Sequence, residues 1–253
     1  MNGTNSPPAG SIVIVTGGTR GIGRHIVKRL HGDGYGILFT HSNSDRDAQS
    51  LEEELDVTAL PCRGLRVDVS SSDAPEQIFD KAESLGLVTG LVNNAGVTGR
   101  LGRLGDLTDS DLGRVIAVNL AAPIRLCREA AIRWAGREYR STIINISSVA
   151  ARTGSPNEYV AYAATKAALE TFTVGLAREL ASDGIYVNAV APGTIDTTIH
   201  ARAGEPGRAQ RVAERIPLKR PGQPEEVAEA VAWLLSGKAS YITGSILGVT
   251  GGL

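Results

Sequence analysis

The sequence predicts a single α/β domain in which helices cover both faces of a doubly wound, mostly parallel sheet of about seven strands. Its length of 253 residues suits one α/β domain of the larger kind. Short β-branched runs alternate with longer helical patterns, which indicates successive βα units. The runs are apolar throughout rather than alternating, and this is typical of strands buried on both faces of a parallel sheet.

Strands and helices alternate from residue 11 to the end of the chain. The first apolar run leads into a helical pattern that begins at Gly21. Thr108 gives a capping-box-like start to a long helix that reaches about Trp134. The polar residues 1–10 are predicted to form a disordered tail that precedes one domain at 11–253. Strands are predicted at 11–15, 36–40, 65–69, 87–92, 142–146, 185–190 and 245–249, and the other helices at 45–55, from Pro75, 158–180 and 225–235.

Composition and charge exclude several classes of protein. The 26 basic side chains are balanced by 27 acidic ones, so no nucleic-acid or anionic membrane partner is predicted. No apolar run approaches the roughly 20 residues that span a bilayer, and the polar N-terminus does not resemble a signal peptide, so we expect a cytoplasmic protein. Cys62, Cys127 and four histidines lack metal-ligand spacing, so no metal site is predicted.

A glycine cluster lies where the first strand meets the first helix. Glycines there let the backbone turn tightly and approach a pyrophosphate, while the helix start supplies free N–H groups. No lysine follows as in an ATP-binding P-loop, and the alternative is a plain tight turn. The cluster therefore predicts a dinucleotide site, and its residues are Gly17, Thr19, Arg20, Gly21, Ile22 and Gly23.

The end of the second strand bears on the choice of nucleotide. A carboxylate at that place would bind the ribose 2′-hydroxyl of NAD. The chain has His41, Ser42 and Asn43 there instead, and Arg20 adds a cation from the glycine cluster. Hydroxyl, amide and cationic donors suit a 2′-phosphate, so we expect NADP(H) rather than NAD(H). The alternative is that Arg20 only interacts with solvent at the helix start.

A tyrosine and a lysine are spaced for proton transfer. Tyr162 and Lys166 lie at i and i+4 of one predicted helix, so they share a face. A lysine cation near a phenol favours the phenolate, which allows the tyrosine to exchange a proton with a carbonyl oxygen. Ser148 lies just after the preceding strand and is expected to form a hydrogen bond with the same oxygen, whereas Ser147 is expected to be an ordinary strand-end hydroxyl.

Asn119 lies inside the long helix, four residues before Pro123. Proline has no N–H, so the Asn119 carbonyl loses its usual partner and the helix is expected to kink. Two interpretations remain open: the freed carbonyl holds a water that links Lys166 to solvent, or the kink serves packing alone.

Four motifs together resemble the short-chain dehydrogenase/reductase family over about residues 11–252. The motifs are Thr16–Gly23 (TGGTRGIG), Asn93–Gly96 (NNAG), the set Asn119, Ser148, Tyr162 and Lys166, and Pro192–Thr197 (PGTIDT). The resemblance implies a Rossmann-type subunit with Tyr162 as acid/base and Lys166 bound to the nicotinamide ribose. It also implies that Ser148 orients the substrate oxygen, that Asn119 supports a relay water, and that the protein is a homotetramer. The cofactor contacts implied are Asp68, Val69, Asn94, Ala95, Gly96, Pro192, Gly193, Ile195 and Thr197.

The substrate is expected to be a small carbonyl compound or secondary alcohol, of the 3-oxoacyl reductase type or the sugar or alcohol dehydrogenase type. A different class remains open, a non-catalytic regulator that senses the dinucleotide. The segment 194–222 is predicted to be a lid. Its basic residues could meet an anionic substrate, although interleaved glutamates favour a solvated helical face. They are Arg202, Arg208, Arg211, Arg215, Lys219 and Arg220.

Overall fold

A computed structural model describes residues 8–197, 205 and 207–253. Seven parallel strands form one sheet, as the sequence predicts, and their order in the sheet is β3-β2-β1-β4-β5-β6-β7. The order reverses between β1 and β4, and in a doubly wound sheet this is where ligands bind. The strands are β1 (Ile12–Val15), β2 (Gly36–His41), β3 (Cys62–Arg66), β4 (Val88–Asn93), β5 (Ser141–Ile146), β6 (Ile185–Pro192) and β7 (Ile246–Val249).

Helices cover both faces of the sheet. The core on one face joins alternate β1 residues such as Val13 to α1, α2 and α9. The core on the other face joins Ile12 and Ile14 to α3, α5 and α7. Both faces of the central strands are therefore buried, which explains why the strands are apolar throughout. The helices are α1 (Gly21–Gly32), α2 (Asp45–Leu55), α3 (Ala74–Glu83), α4 (Asp109–Ile116), α5 (Ala122–Trp134), α6 (Ala150–Thr153), α7 (Val160–Leu180), α8 (Arg208–Ala213) and α9 (Pro224–Leu235).

One strand prediction was wrong. The third strand was placed at 65–69, but β3 ends at Arg66. Among the described residues this strand pairs with β2 alone, and Cys62 is its one buried residue because the strand forms the edge of the sheet. The apolar residues Val67 and Val69 lie beyond the strand, where they line a cavity together with Asp68.

The predicted long helix is continuous from α4 to α5 but changes its winding. Ala117–Ala121 is π-helical, and the N–H of Ala122 donates to the carbonyl of Ala117, five residues earlier. Pro123 follows directly and has no N–H to donate, so the wider turn lies where the normal hydrogen-bond ladder is interrupted.

Two predicted segments lie partly outside the described residues. Residues 1–7 of the predicted tail at 1–10 lie outside the described part of the chain, and so do residues 198–204 and 206 of the predicted lid. Within the described part of the chain, every helix is too short or insufficiently apolar to span a lipid bilayer.

Candidate active site

A cavity of about 670 Å³ opens at the carboxyl edge of the sheet. It extends from the glycine cluster after β1, past the ends of β2 and β3, to the end of β5 and the start of α7. Of the residues predicted for the site, only Asn119 does not line it. The others are Gly17, Thr19, Arg20, Gly21, Ile22, Gly23, His41, Ser42, Asn43, Asp68, Val69, Asn94, Ala95, Gly96, Ser148, Tyr162, Lys166, Pro192, Gly193, Ile195 and Thr197.

The glycine cluster is packed too closely for side chains. A Cβ on Gly23 would lie 2.2 Å from the carbonyl oxygen of Gly17, and Gly17 has a positive φ of 67°. The amide of Asn94 donates to the carbonyls of Thr16 and Gly17 at 2.8 and 3.0 Å. The Thr16 hydroxyl accepts from the backbone N–H groups of Asn94 and Ala95. These bonds fix the cluster to the end of β4.

The start of α1 has the donor chemistry that a pyrophosphate requires. Arg20 precedes the helix without a side-chain cap, and the first turn contains no acidic residue. The first N–H groups of a helix have no partner within it, and the dipole there favours an anion. The closely packed cluster, the uncapped helix and the adjoining cavity together fit the phosphates of a dinucleotide.

The end of β2 carries the groups predicted to select the nucleotide. The guanidinium of Arg20 donates to the hydroxyl of Ser44 and lies 3.9 Å from the carboxylate of Asp47. The backbone N–H of Ser44 donates to Nδ1 of His41 at 3.3 Å, and burial lowers the pKa of His41. Burial and the hydrogen bond that Nδ1 accepts both favour the neutral imidazole of His41. Ser44 was not among the predicted residues, although it follows Ser42 and Asn43 directly in the sequence.

Asp68 lines the cavity beyond β3 and also caps its own turn. Its carboxylate accepts from the backbone N–H and the hydroxyl of Ser70, at 2.9 and 2.7 Å. These two bonds hold the pKa of Asp68 below its usual value, and the positive charge of Arg114 adds to the effect. Arg114 reaches the same end of the cavity from α4 and was not predicted.

Lys166 is 4% exposed at the other end of the cavity. Its Nζ donates to the carbonyl of Ile146 at 2.7 Å and lies 5.6 Å from the ring centroid of Tyr162. Burial lowers the pKa of Lys166 to about 8, because the buried cation loses its hydration. At pH 7 the ammonium is still the main form.

The two serines after β5 have different partners. The Ser148 hydroxyl accepts from the backbone N–H of Ala150 at 3.1 Å, and Ser148 faces the cavity near Tyr162. The Ser147 hydroxyl donates to the carboxylate of Glu170 on α7 at 2.7 Å. The hydroxyl of Ser147 is thus held by the helix, whereas that of Ser148 retains its own proton for another acceptor.

Asn119 supports the wall of the cavity from behind. Its side chain is fully buried, accepts from the N–H of Val97 at 2.8 Å and donates to the carbonyl of Val97 at 2.7 Å. A Cβ on Gly96 would lie 3.4 Å from Asn119 Oδ1 and 3.7 Å from Lys166 Nζ. The amide therefore holds the segment after β4 close to Lys166.

A second tyrosine beside Tyr162 was not predicted. Tyr159 is 6% exposed and lines the cavity. Its ring meets that of Tyr162 edge to face, with centroids 6.3 Å apart and planes at 71°. Its position three residues before Tyr162, on the same side of the chain, is the signal that could have identified it.

The basic residues of the predicted lid are mostly paired where the structure describes them. Arg211 contacts the carboxylates of Glu205 and Glu158 at 2.5 and 3.2 Å. Arg220 forms two bonds with Glu226, at 2.7 and 2.8 Å. These pairings favour the solvated helical face over contact with an anionic substrate. Arg202 and the side chain of Arg208 lie outside the described residues. The described residues also contain no group of three potential metal ligands.

A family model, two relatives and a solved structure match nearly the whole chain. Residues 17–253 match a model described as enoyl-(acyl carrier protein) reductase. The uncharacterized oxidoreductase YgfF of Escherichia coli is 42% identical over 96% of this chain and 99% of its own length. The 3-oxoacyl-(acyl-carrier-protein) reductase FabG of Aquifex aeolicus is 39% identical over 96% of this chain and 97% of its own. A short-chain dehydrogenase from Burkholderia cenocepacia, solved in complex with NADP, is similar with a TM-score of 0.88 and 33% identity, covering 96% of this chain and 98% of that one.

Proposed function

The chain belongs to the short-chain dehydrogenase/reductase family, and from this premise we propose that it transfers hydride between NADP(H) and a carbonyl compound or the matching secondary alcohol. One observation carries the proposal: Tyr162, Lys166 and Ser148 line the same cavity as the glycine cluster. A dinucleotide held by the cluster would extend along the cavity toward these three side chains. Carbonyl reduction needs a hydride donor and a nearby acid, and an activated phenol beside the nicotinamide supplies that acid.

Tyr162 is the proton donor in this proposal. When a carbonyl carbon gains hydride, its oxygen becomes an alkoxide and needs a proton. The Tyr162 hydroxyl supplies that proton, and the Lys166 ammonium stabilises the phenolate that remains. Ser148 donates a hydrogen bond to the same oxygen and fixes its position. In the oxidative direction the phenolate removes the alcohol proton instead.

The glycine cluster and Arg20 are assigned to the cofactor. When bound, the nicotinamide supplies or accepts the hydride. The start of α1 would hold the pyrophosphate, and Arg20 with Ser42, Asn43 and Ser44 would hold the 2′-phosphate. Support comes from the absence of a carboxylate among the residues that line the end of β2, and from the NADP bound to the Burkholderia cenocepacia relative.

Carbonyl reduction of the 3-oxoacyl type is the first reaction to test. The Aquifex aeolicus relative, which is named as a reductase of 3-oxoacyl groups, supports this choice. Secondary alcohols and sugars form the second group of substrates, because the same three side chains also serve oxidation. Asn119 is assigned a supporting role: its amide holds the segment after β4 near Lys166, from which a relay of protons to solvent would start.

The test is turnover of purified protein with NADPH or NADH and a panel of 3-oxoacyl thioesters, ketones, alcohols and sugars, followed by the absorbance of the reduced nicotinamide. We expect reduction with NADPH, and a kcat/KM for NADPH at least about tenfold above that for NADH. A preference for NADH would contradict the cofactor assignment. Binding of NADPH without turnover of any substrate would favour the alternative of a non-catalytic regulator that senses the dinucleotide.

We also propose a homotetramer. Exposed apolar side chains on α4 and α5 support this assembly, because a second subunit would remove them from water. Ile116 is 42% exposed and Ile132 is 66% exposed. Sedimentation at micromolar concentration should give the mass of four chains, and a monomer would contradict the proposal.

A cytoplasmic location completes the proposal. Its support is the state of the two cysteines: both thiols are free, both are buried, and burial raises the pKa of each to about 12. Buried, unpaired thiols are typical of proteins in a reducing compartment. Fractionation of the source cells should recover the protein with cytoplasmic markers.

A further inference from the structure

Glu170 lies on the same side of α7 as the two residues assigned to proton transfer. Tyr162, Lys166 and Glu170 follow one another at intervals of four residues, so the three side chains share one helix face. Glu170 is half-buried and does not line the cavity. Its carboxylate is directed at the end of β5 rather than at a substrate.

Three contacts join the end of β5 to α7, one between two side chains and two between a side chain and a backbone carbonyl. The Ser147 hydroxyl donates to the Glu170 carboxylate at 2.7 Å and lies 3.5 Å from the carbonyl oxygen of Lys166. The Lys166 ammonium donates to the carbonyl of Ile146 at 2.7 Å. Ile146 and Ser147 are the two residues that precede Ser148, so these contacts hold the backbone that carries the Ser148 hydroxyl.

Lys166 can exchange its contact with Ile146 for a contact with another group. The Ser147–Glu170 hydrogen bond is then the stronger of the two contacts that still join β5 to α7. Ser147 is 3% exposed, so water does not compete well for its hydroxyl. A hydrogen bond to a carboxylate in such a place is stronger than one between neutral groups. Lys166, in contrast, would share its donors between Ile146 and the ribose of a bound cofactor.

We propose that Glu170 is a positioning residue: through Ser147, it fixes the separation between Ser148 at the end of β5 and Tyr162 on α7. The inference rests on the roles proposed above for Ser148 and Tyr162. Both hydroxyls must reach one substrate oxygen, and small errors in such placement lower rates strongly. The competing explanation is that the contact only stabilises the packing of α7 on the sheet.

Four variants test the inference: Glu170→Leu, Glu170→Gln, Ser147→Ala, and the double variant Ser147→Ala/Glu170→Leu. Glu179→Leu is the matched control, because Glu179 is an exposed glutamate on the same helix and does not line the cavity. For each protein the measurements are the single-turnover rate of NADPH oxidation, the Kd for NADPH from its fluorescence, and the Tm.

We expect Glu170→Leu and Ser147→Ala each to lower the single-turnover rate about tenfold, with the Kd for NADPH unchanged. The double variant should be no slower than the slower single variant, because both changes break the same contact. Glu170→Gln keeps an oxygen that can accept from Ser147, so it should stay within about threefold of the wild type. Glu179→Leu should match the wild type.

Wild-type rates in Glu170→Leu and Ser147→Ala, or losses that multiply in the double variant, would overturn the inference. A parallel weakening of NADPH binding and a large fall in Tm would also overturn it, in favour of a purely structural contact. If Glu170→Leu does not fold, Ser147→Ala and Glu170→Gln still decide the question. Ser148→Ala separates this inference from the proposed function, because full activity in that variant would contradict the function itself.

Discussion

The two ends of the cavity are built in different ways. The dinucleotide end is shaped by backbone: Gly17 and Gly23 approach each other so closely that no side chain fits between them. The reacting end is shaped by side chains, with Ser148, Tyr162 and Lys166 reaching the cavity from β5 and α7. An added methyl group is therefore most damaging at the first end, and a removed functional group at the second.

This difference separates binding from chemistry. A substitution of Tyr162 or Ser148 at the reacting end should lower the rate and leave NADPH bound as before. A substitution in the glycine cluster should weaken binding and stability together, because the backbone that binds the phosphates is also packed against Asn94 and the end of β4.

The largest effect is expected for Tyr162→Phe, which removes one oxygen atom and with it the proton donor. The kcat/KM for carbonyl reduction should fall about 10³-fold, within the usual range for loss of a general acid. The Kd for NADPH, measured by fluorescence, should not change. Tyr241→Phe removes a hydroxyl from a fully exposed tyrosine and should behave as the wild type. Substantial turnover by Tyr162→Phe would remove the acid/base role.

Gly23→Ala should have the next largest effect, and on binding rather than chemistry. The new Cβ would lie 2.2 Å from the Gly17 carbonyl, so the backbone of the cluster must move. We expect the Kd for NADPH to rise about 100-fold and the Tm to fall. Gly32→Ala, at the other end of α1, meets no atom within 4 Å and should leave both quantities nearly unchanged. Tight NADPH binding by Gly23→Ala would show that the cluster is not the phosphate site.

Arg20→Gln tests which nucleotide the dinucleotide end selects. Loss of the guanidinium should raise the KM for NADPH about tenfold and change the KM for NADH by less than about threefold. Arg24→Gln is the matched control, because Arg24 pairs with Glu54 at 2.6 Å and does not line the cavity. Equal losses with both nucleotides would mean that Arg20 does not contact the 2′-phosphate.

The smallest change in kcat/KM near neutral pH is expected from the titration of Lys166. Its pKa of about 8 means that the ammonium predominates below pH 8 and is lost above it. Since the cation stabilises the Tyr162 phenolate, kcat/KM for reduction should be constant at low pH, halve near pH 8 and fall about tenfold per unit beyond. The Tm measured at each pH separates this fall from unfolding. A rate that stays constant to pH 9.5 would contradict the role of Lys166.

The sequence was most informative where function depends on local spacing. The glycine cluster and the Tyr162–Lys166 pair each lie within one short segment, so the residue pattern alone placed them on a loop and a helix face. The doubly wound, mostly parallel sheet of about seven strands followed from the apolar strands and the βα alternation. The strand Cys62–Arg66 was misplaced because this edge strand is mostly accessible and contains few apolar residues, while the more apolar residues after it line a cavity.

Contacts between distant segments could not be predicted in the same way. Ser147 and Glu170 are 23 residues apart and meet only because α7 packs against the end of β5 at one particular angle. Arg114 reaches the dinucleotide end from α4 for a similar reason. Such contacts depend on how elements pack, and no local pattern of residues records that geometry.

The most direct test is a crystal structure of the protein with NADP⁺ and a secondary alcohol that it oxidises. We predict that the Tyr162 hydroxyl lies within hydrogen-bond distance of the alcohol oxygen, about 2.6–3.2 Å, with the nicotinamide carbon facing the alcohol carbon. An alcohol oxygen held by other groups, with the Tyr162 hydroxyl directed away from it, would contradict the acid/base role of Tyr162.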